Sequence, residues 1–424
     1  MRKIYLFTFM MLLLVHLKGQ AQQITLHVER AGTLHGMINA SRLPYITDLK
    51  LTGELNGTDI SFIRTLVKKN LRFLDLSEAR IVEGGAIYYS NYRTSNDIIG
   101  SYMFYNPDYS PISPCAISKI NLPNSVTGIE EGAFKSCTRL TDINIPNSVT
   151  SIGGGAFSGC TSLTDINIPN SVTSIERGAF SGCTSLTDIN IPNSVTSIGE
   201  RAFSGCTSLT DINIPDAVKS IEPETFSGCT RLTDINIPNS VTSIGYEAFY
   251  NCTRLTDINI PNSVTSIGYE AFYNCTRLTD INIPNSVTSI ERSTFYDCTS
   301  LTDINIPNSV TSIGEQAFYN CDNLKSVYMN ASTPPFIGSQ AFHNISKDLT
   351  IYIPRGSYTA YWLSYWGNYN LVEYDPTDIQ GVTTSAHNGV EKYFSIDGRP
   401  LPGPCKGVNI IQDTDGKTRK AWIP

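Results

Sequence analysis

A unit of 23 residues repeats along most of this chain, and it constrains the fold more than any other feature. The units begin at Ile117, Leu140, Leu163, Leu186, Leu209, Leu232, Leu255, Leu278, Leu301 and Leu324. One unit has too few apolar side chains to enclose a core, so neighbouring units must stack and share one. The repeat therefore predicts a solenoid, which grows in length without needing a larger core.

The pattern within one unit predicts its local structure. Residues 140–145 read L-x-x-I-x-I, which predicts a strand whose apolar side chains point inward and whose polar side chains stay outside. Pro146 ends the strand, because proline cannot donate to a ladder. The apolar residues of 156–160 are spaced i, i+1 and i+4, which predicts a single inward-facing helical turn. The expected fold is an α/β leucine-rich-repeat solenoid, with a parallel β-sheet and short helical turns.

The array is expected to be closed at both ends by irregular repeats. Residues 46–51 and 71–76 keep the strand pattern, 59–69 predict a short amphipathic helix, and 84–114 look like an insertion. The predicted boundaries are 1–21 for a signal peptide, 22–116 for the N-terminal cap, 117–346 for ten regular repeats, 347–375 for the C-terminal cap and 376–424 for a small β module. An exposed solenoid end must be covered, so atypical ends are expected.

Aromatic residues crowd the segment before the β module. They are Tyr361, Trp362, Tyr365 and Trp366. Such a cluster fits a segment that covers the last repeat, and it also fits an aromatic binding site. The first interpretation is favoured, and the second stays open.

The first residues predict export. A basic start at Arg2 and Lys3 is followed by an apolar run, and Gly19 and Ala21 stand at −3 and −1 of a cut before Gln22. No Cys lies near that cut, so lipid attachment is not expected. Removing three basic residues takes the formal charge from −7 to −10, which argues against nucleic acid or an anionic membrane as a partner. We expect a secreted or cell-surface monomer, not inserted in a membrane.

The repeat resembles a known family. The unit L-x-x-I-x-I-P-x-x-V-T-x-I-x-x-x-A-F-x-x-C over 117–345 resembles the BspA-type leucine-rich repeats of bacterial surface proteins. The caps are similar as well, at Ala-Gly-Thr-Leu of 31–34, Leu-Asp-Leu-Ser of 74–77 and Ile-Pro-Arg-Gly of 353–356. The resemblance implies a right-handed solenoid outside the cell, with adhesive or recognition roles toward host proteins or other cells. It implies no family-wide catalytic residues.

The tail resembles the C-terminal sorting domains of type IX secretion. The similarity rests on Tyr-Phe-Ser-Ile-Asp-Gly-Arg of 393–399 and Lys-Gly-Val of 406–408. Asn409 stands where an aromatic residue is usual, and the last residues are Trp-Ile-Pro. A degenerate β module without a sorting role is the alternative.

Cysteine recurs at one position of nine consecutive units. The residues are Cys137, Cys160, Cys183, Cys206, Cys229, Cys252, Cys275, Cys298 and Cys321. Stacked neighbours would lie within disulfide range, but nine equivalent residues leave a remainder and their Cβ vectors are parallel. Ile345 fills the same position in the last unit, so a small hydrophobe fits there. We expect a buried, mostly reduced core ladder and no metal site, because no C-x-x-C spacing occurs.

Aspartate recurs at one polar position of the strand. The residues are Asp142, Asp165, Asp188, Asp211, Asp234, Asp257, Asp280 and Asp303. They would line one exposed sheet face at roughly 4.8 Å intervals. The row fits a solvated polar face, with Arg139 and other arginines nearby as counter-charges. A surface for a cationic partner or Ca²⁺ is the weaker alternative.

Tyrosine breaks the symmetry of the array. Tyr250, Tyr273, Tyr296 and Tyr319 occupy a position held earlier by Lys135, Ser158, Ser181, Ser204 and Ser227, and Tyr246, Tyr269, Arg231, Arg254 and Arg277 add to the set. Tyrosine and arginine are favoured at interface hot spots, and tyrosine also stacks on sugars. Stacking of the rings on one another is the purely structural alternative.

No catalytic motif is present, and the repeated carboxylates lack a distinguishable acid and base. We therefore expect a protein that is not an enzyme and needs no cofactor. The first hypothesis is an adhesin or recognition protein for extracellular or cell-surface proteins. A glycan-binding surface protein and a passive surface spacer are the alternatives.

Overall fold

A computed structural model describes residues 22–105 and 115–375, together with the backbone strands 392–395, 400–401, 407–412 and 418–423. The predicted signal peptide lies outside the described residues. Among the described residues, no helix has the length and apolar character that crossing a membrane requires.

A parallel sheet, here the first sheet, runs along the solenoid and is formed by the L-x-x-I-x-I segments, as predicted. Consecutive units pair in register, for example Ile120 with Ile143, and the isolated bridge between Asn167 and Asn190 continues the ladder. Its strands are Gln22–Val28, Ile46–Leu55, Phe73–Ile81, Lys119–Asn121, Asp142–Asn144, Asp211–Asn213, Asp234–Asn236, Asp257–Ile258, Asp280–Ile281, Asp303–Ile306, Ser326–Met329, Thr350–Pro354 and Asn370–Tyr374.

A second parallel sheet follows the proline turn of each unit, and the sequence did not predict it. Its strands are two residues long and pair in register, as in Ile175 with Ile198. So short a strand shows no alternation that could be recognised in advance. The strands are Ile98–Ile99, Gly128–Ile129, Ser151–Ile152, Ser174–Ile175, Ser197–Ile198, Ser220–Ile221, Ser243–Ile244, Ser266–Ile267, Ser289–Ile290, Ser312–Ile313 and Phe336–Ile337.

The third side of the solenoid, here the turn face, consists of linked tight turns. The segment 156–160 points into the core, as predicted, but it is not α-helical. Ala156 N–H donates to the Gly153 carbonyl at 3.1 Å, and Cys160 N–H donates to the Phe157 carbonyl at 3.0 Å. The left-handed residues Gly155 and Gly159, with φ of 59° and 72°, prevent the right-handed helix from continuing.

A stack of phenylalanine rings fills the core beneath the turn face. Neighbouring rings lie 5.0–5.8 Å apart between centroids and are nearly parallel. The stack comprises Phe104, Phe134, Phe157, Phe180, Phe203, Phe226, Phe249, Phe272, Phe295, Phe318 and Phe342. The inward leucine and isoleucine side chains of the first sheet complete the same continuous core.

A helix at Gly57–Val67 closes the N-terminal end, close to the predicted 59–69. Asn56 and Asp59 form a capping box at its start, and the buried Asp59 carboxylate also accepts from Leu34 N–H at 2.9 Å. A short α-helix at Leu34–Met37 and a 3-10 helix at Ala40–Tyr45 complete this cap.

The predicted insertion contains an antiparallel hairpin of Gly84–Tyr89 and Tyr92–Thr94. The buried Arg64 guanidinium holds the segment that follows, donating to the carbonyl oxygens of Tyr102 and Met103 at 2.9 and 2.7 Å. The core stack already begins in this segment at Phe104, one unit before the first regular repeat.

The C-terminal cap consists of a helix at Tyr358–Trp362, a 3-10 helix at Tyr365–Asn368 and the last strand of the first sheet. Tyr361 and Trp366 are fully buried, and Trp366 Nε1–H donates to the Pro335 carbonyl at 2.9 Å. Trp362 and Tyr365 are 57% and 62% exposed. Two of the four clustered aromatics therefore cover the last repeat, and two face solvent.

The described part of the tail contains four short strands. They form an antiparallel sheet in the order 400–401, 392–395, 407–412, 418–423.

Candidate binding surface

Backbone hydrogen bonds join every step of the turn face in the same way. In an early unit, Gly155 N–H donates to Arg177 O at 2.8 Å and Gly159 N–H donates to Ser181 O at 2.7 Å. In a late unit, Asn251 N–H donates to Tyr273 O at the same 2.7 Å. The backbone is thus constant along the array, and only the outward side chains change.

The Tyr250, Tyr273, Tyr296 and Tyr319 rings form a continuous surface stack, here the tyrosine row. Successive centroids lie 4.8, 4.6 and 4.7 Å apart, and His343 extends the stack at 5.2 Å. Burial raises the pKa of Tyr273 to about 12. Inside the row each ring face is covered by its neighbours, so a partner meets ring edges and hydroxyl groups.

An amide row runs beside the tyrosine row. Asn274 Nδ2–H donates to Asn251 Oδ1 at 2.7 Å, and Asn320 Nδ2–H donates to Asp297 Oδ1 at 2.7 Å. These residues have φ between 56° and 59°, and glycine fills the equivalent position in most early units. Asparagine and aspartate tolerate this left-handed conformation better than other side chains do. The 23-residue spacing of these asparagines could have revealed the row.

Tyr246 and Tyr269 form a separate pair, stacked at 5.0 Å. Arg292 lies over the Tyr269 ring at 5.6 Å and pairs with Glu270 at 2.7 Å. Arg292 was not among the predicted site residues, although it occupies the same position as Tyr246 and Tyr269 one unit later. This pair is therefore capped by a cation from within the chain.

Arg231, Arg254 and Arg277 lie apart from both tyrosine stacks. Each is exposed at the corner that leads into the first sheet, four residues after the position of the tyrosine row. Among the described residues, the cation–ring contacts involve Arg64, Lys119 and Arg292 instead. The nine residues grouped by the sequence thus divide into three surfaces.

The predicted aspartate row lies on the outer side of the first sheet. Asp211 pairs in register with Asp234, and Asp257 with Asp280. The Asp142 carboxylate forms an ion pair with Lys119 at 2.6 Å. Within the described ranges, no group of three or more His, Cys, Asp or Glu side chains is arranged to hold a metal ion.

The repeated cysteines are buried thiols without disulfide bonds. Each of the nine donates its S–H to a phenylalanine carbonyl of the preceding unit, at 3.1–3.3 Å, as Cys183 does to Phe157. Burial raises the pKa of Cys183, Cys229 and Cys275 to about 12. The thiolate is the reactive form of cysteine, so these groups are inert while the chain is folded.

Comparison with known proteins identifies the repeat. The sequence profile described as "BspA type Leucine rich repeat region" matches residues 97–233 and 219–350, in six copies. No curated protein matches the chain.

Solved structures of bacterial leucine-rich repeat proteins are similar to this chain. A leucine-rich repeat protein from Bacteroides ovatus is 24% identical, with a TM-score of 0.43, and the match covers 72% of this chain and 92% of that one. A leucine-rich cell surface protein from Faecalibacterium prausnitzii is 29% identical, with a TM-score of 0.40, covering 68% and 90%. The pneumococcal vaccine antigen PcpA is 18% identical, with a TM-score of 0.42, covering 72% and 89%.

Proposed function

The chain belongs to the BspA-type leucine-rich repeat family, and on that premise we propose that it is an exported adhesin or recognition protein for extracellular or cell-surface proteins. Proteins of this family are bacterial surface proteins, and leucine-rich-repeat solenoids are typically not enzymes. The observation that carries the proposal is the tyrosine row, which is confined to the later units. Tyrosine is among the residues most enriched where interfaces concentrate their binding energy.

The geometry of the row favours a protein partner over a sugar at this position. Sugar rings stack on open aromatic faces, and the faces inside the row are covered at 4.6–4.8 Å. Edges and hydroxyl groups remain available, and these suit the mixed polar and apolar surface of a protein. The stacked rings are also already ordered, so binding does not have to restrict their rotamers.

A quadruple variant, Tyr250→Ser, Tyr273→Ser, Tyr296→Ser and Tyr319→Ser, tests the proposal. Serine occupies this position in four earlier units, so the variant is expected to fold. Proteins that the parent chain captures from extracellular-matrix and mucosal extracts should bind the variant at least about thirtyfold more weakly. That factor corresponds to a loss of roughly 2 kcal/mol of binding free energy, as expected when hot-spot residues are removed. The matched control replaces Ser158, Ser181, Ser204 and Ser227 with alanine.

Three outcomes separate the alternatives. Loss of protein binding in the tyrosine variant alone supports the proposal. Glycan-array hits that disappear in the same variant while protein binding is unchanged support the glycan alternative instead. Unchanged binding of every partner supports the passive spacer.

Export is part of the proposal and has its own test. We propose that the chain is cleaved before Gln22 and that the tail either directs sorting or is a degenerate β module. N-terminal sequencing of protein recovered outside the cell should begin at Gln22. Deletion of 376–424 should leave the chain inside the cell if the tail directs sorting, and should change nothing if it does not.

A further inference from the structure

The early units leave a groove on the turn face, where the later units carry the tyrosine row. Its floor consists of glycine and serine, including Gly155, Ser158, Gly178 and Ser181, and it encloses about 560 Å³. We call this groove the serine trough. The cavity spans the units whose row positions are Lys135, Ser158 and Ser181. Beyond the cavity the row position stays small, at Ser204 and Ser227, as far as the first tyrosine of the row, and we include these two units in the trough.

Tyrosine closes the trough at its N-terminal end. The Tyr102 ring lies directly over Gly132, since a Cβ placed on that glycine would come within 2.5 Å of Tyr102 Cε1. The ring is fixed by its hydroxyl group, which donates to Glu131 at 2.6 Å, and by Tyr92 and Tyr105, each 5.4 Å away between centroids. The trough therefore begins at a rigid aromatic wall.

The tyrosine row closes the other end. Tyr250 is the first ring of the row, and Tyr273 covers only one of its faces. The unit before it carries Ser227 at the same position, and Gly228 N–H donates to the Tyr250 carbonyl at 2.7 Å, which places the two units side by side. Within the described part of the chain, no aromatic ring stacks on the second face of Tyr250, so that face is directed along the trough.

The floor offers no edge to which a peptide strand could add. The amides of Gly155, Gly159 and Gly178 already donate to carbonyl oxygens of the next unit, at 2.7–2.8 Å. An extended peptide also advances only about 3.3 Å per residue, whereas in-register parallel strands, and so neighbouring units, repeat at roughly 4.8 Å. A peptide would therefore fall out of step with the units, whereas a linear pyranose chain advances by a comparable length with each sugar.

The polar groups of the trough suit a polyhydroxylated ligand. Among the described residues, nothing hydrogen-bonds to the side-chain hydroxyl groups of Ser158 and Ser181, both of which line the cavity. Lys135, Arg177 and Arg201 line it as well, and Arg177 and Arg201 are ion-paired with Glu200 and Glu224. The lining carboxylate of Glu176 is already engaged, since it accepts from Gly154 N–H at 3.1 Å.

We propose that the serine trough binds a linear oligosaccharide, with one sugar facing each unit and a terminal ring stacking on Tyr250. This site is distinct from the inner part of the tyrosine row. The ammonium group of Lys135, which lines the cavity, favours chains that contain uronate carboxylates over neutral chains. The same turn face would then bind a glycan over its early units and a protein over its late units.

The double variant Ser158→Tyr/Ser181→Tyr tests the site by extending the tyrosine row into the trough. Four later units hold tyrosine at this position on the same backbone, so the variant should fold. The probes are linear β-1,4-linked oligosaccharides of two to eight sugars, one neutral series and one containing uronate, titrated by calorimetry. Affinity should rise with length, level off near five sugars, and fall at least tenfold in the variant.

The variant Tyr296→Ser/Tyr319→Ser is the matched control. It removes two rings from the tyrosine row but keeps Tyr273 stacked on Tyr250, so it should leave oligosaccharide affinity unchanged while weakening protein binding. The proposal is overturned by failure of both series to bind, by affinity independent of length, or by a loss that follows the control variant instead. None of these results would overturn the protein-binding proposal, which is tested by the loss of protein binding in the quadruple tyrosine variant.

Discussion

The two halves of the turn face share one backbone and present different surfaces. The serine half, units 117–231, exposes serine and glycine, and the tyrosine half, units 232–323, exposes tyrosine and asparagine. The cross-unit bond from Gly159 to Ser181 and the one from Asn274 to Tyr296 are both 2.7 Å long. The core and the backbone ladder therefore determine the shape, and outward positions of the turn face are left to vary the chemistry.

The largest expected effect is a loss of stability at alkaline pH, and it should be common to both halves. Burial raises the pKa of Cys183 in the serine half and of Cys275 in the tyrosine half to about 12, from an ordinary value of 9.0. As pH rises above 9, the thiols of the unfolded chain lose their protons while those of the folded chain keep theirs. The folded state therefore binds more protons between about pH 9 and pH 12, and the free energy of unfolding falls as pH rises through this range. The urea midpoint, followed by circular dichroism, should fall steadily from about pH 9 toward pH 12.

Single substitutions show whether both halves contribute to that loss. Cys183→Ala and Cys275→Ala should each reduce the pH dependence by a similar amount. A midpoint that does not change over this pH range would show that the ladder is not protonated and buried as described.

Removal of one core phenylalanine ring should have the next largest effect on stability, and this effect should also be equal in the two halves. Phe180→Ala and Phe272→Ala each remove a fully buried ring that stacks on two neighbours at 5.3–5.6 Å. Each should lower the free energy of unfolding by about 3–5 kcal/mol, from lost burial and the cavity left behind. Urea denaturation measures both, and a difference well beyond the experimental error would mean that the cores are not equivalent.

The two halves should differ in how much stability is lost when one outward side chain is shortened. Tyr273 stacks on Tyr250 and Tyr296, and two such contacts are worth about 1–3 kcal/mol beyond the area that they bury. Tyr273→Ser should cost that amount, and Ser181→Ala at the equivalent early position should stay within roughly 0.5 kcal/mol of the parent. Equal effects would show that the tyrosine row adds no stability.

The smallest effect concerns the left-handed position of the serine half. Gly182 has φ of 73°, so Gly182→Ala should cost about 1–2 kcal/mol. Gly182→Asn should cost less, because Asn274 adopts φ of 56° at the equivalent position. If alanine and asparagine cost the same, tolerance of this conformation does not explain why asparagine occurs there.

Much of the solenoid could be predicted because its core positions repeat. The inward strand residues and the buried cysteines are visible as apolar residues at constant spacing. The second sheet could not be predicted, because Ser174–Ile175 and its equivalents are too short to show a period. The helical turn was misjudged because apolar spacing does not report the positive φ of Gly155 and Gly159.

The surface was predicted less completely than the core. The change from serine to tyrosine in the sequence located the tyrosine row, but it did not show which rings contact one another. Tyr246 and the three arginines were therefore grouped with rings that they do not contact. Arg292 was missed because its role depends on the ring of Tyr269, one unit earlier. The serine trough was missed because an absent side chain leaves no motif, and its walls come from Tyr102 and Tyr250, 148 positions apart in number.

The uniform step between units has a genetic consequence. Units 232–254 and 255–277 are identical, so unequal crossing-over between their coding segments would add or remove one whole unit without disturbing any backbone bond. Each event would change the tyrosine row by one ring and leave the serine trough untouched. The length of the tyrosine row can thus vary between lineages while the serine trough stays constant.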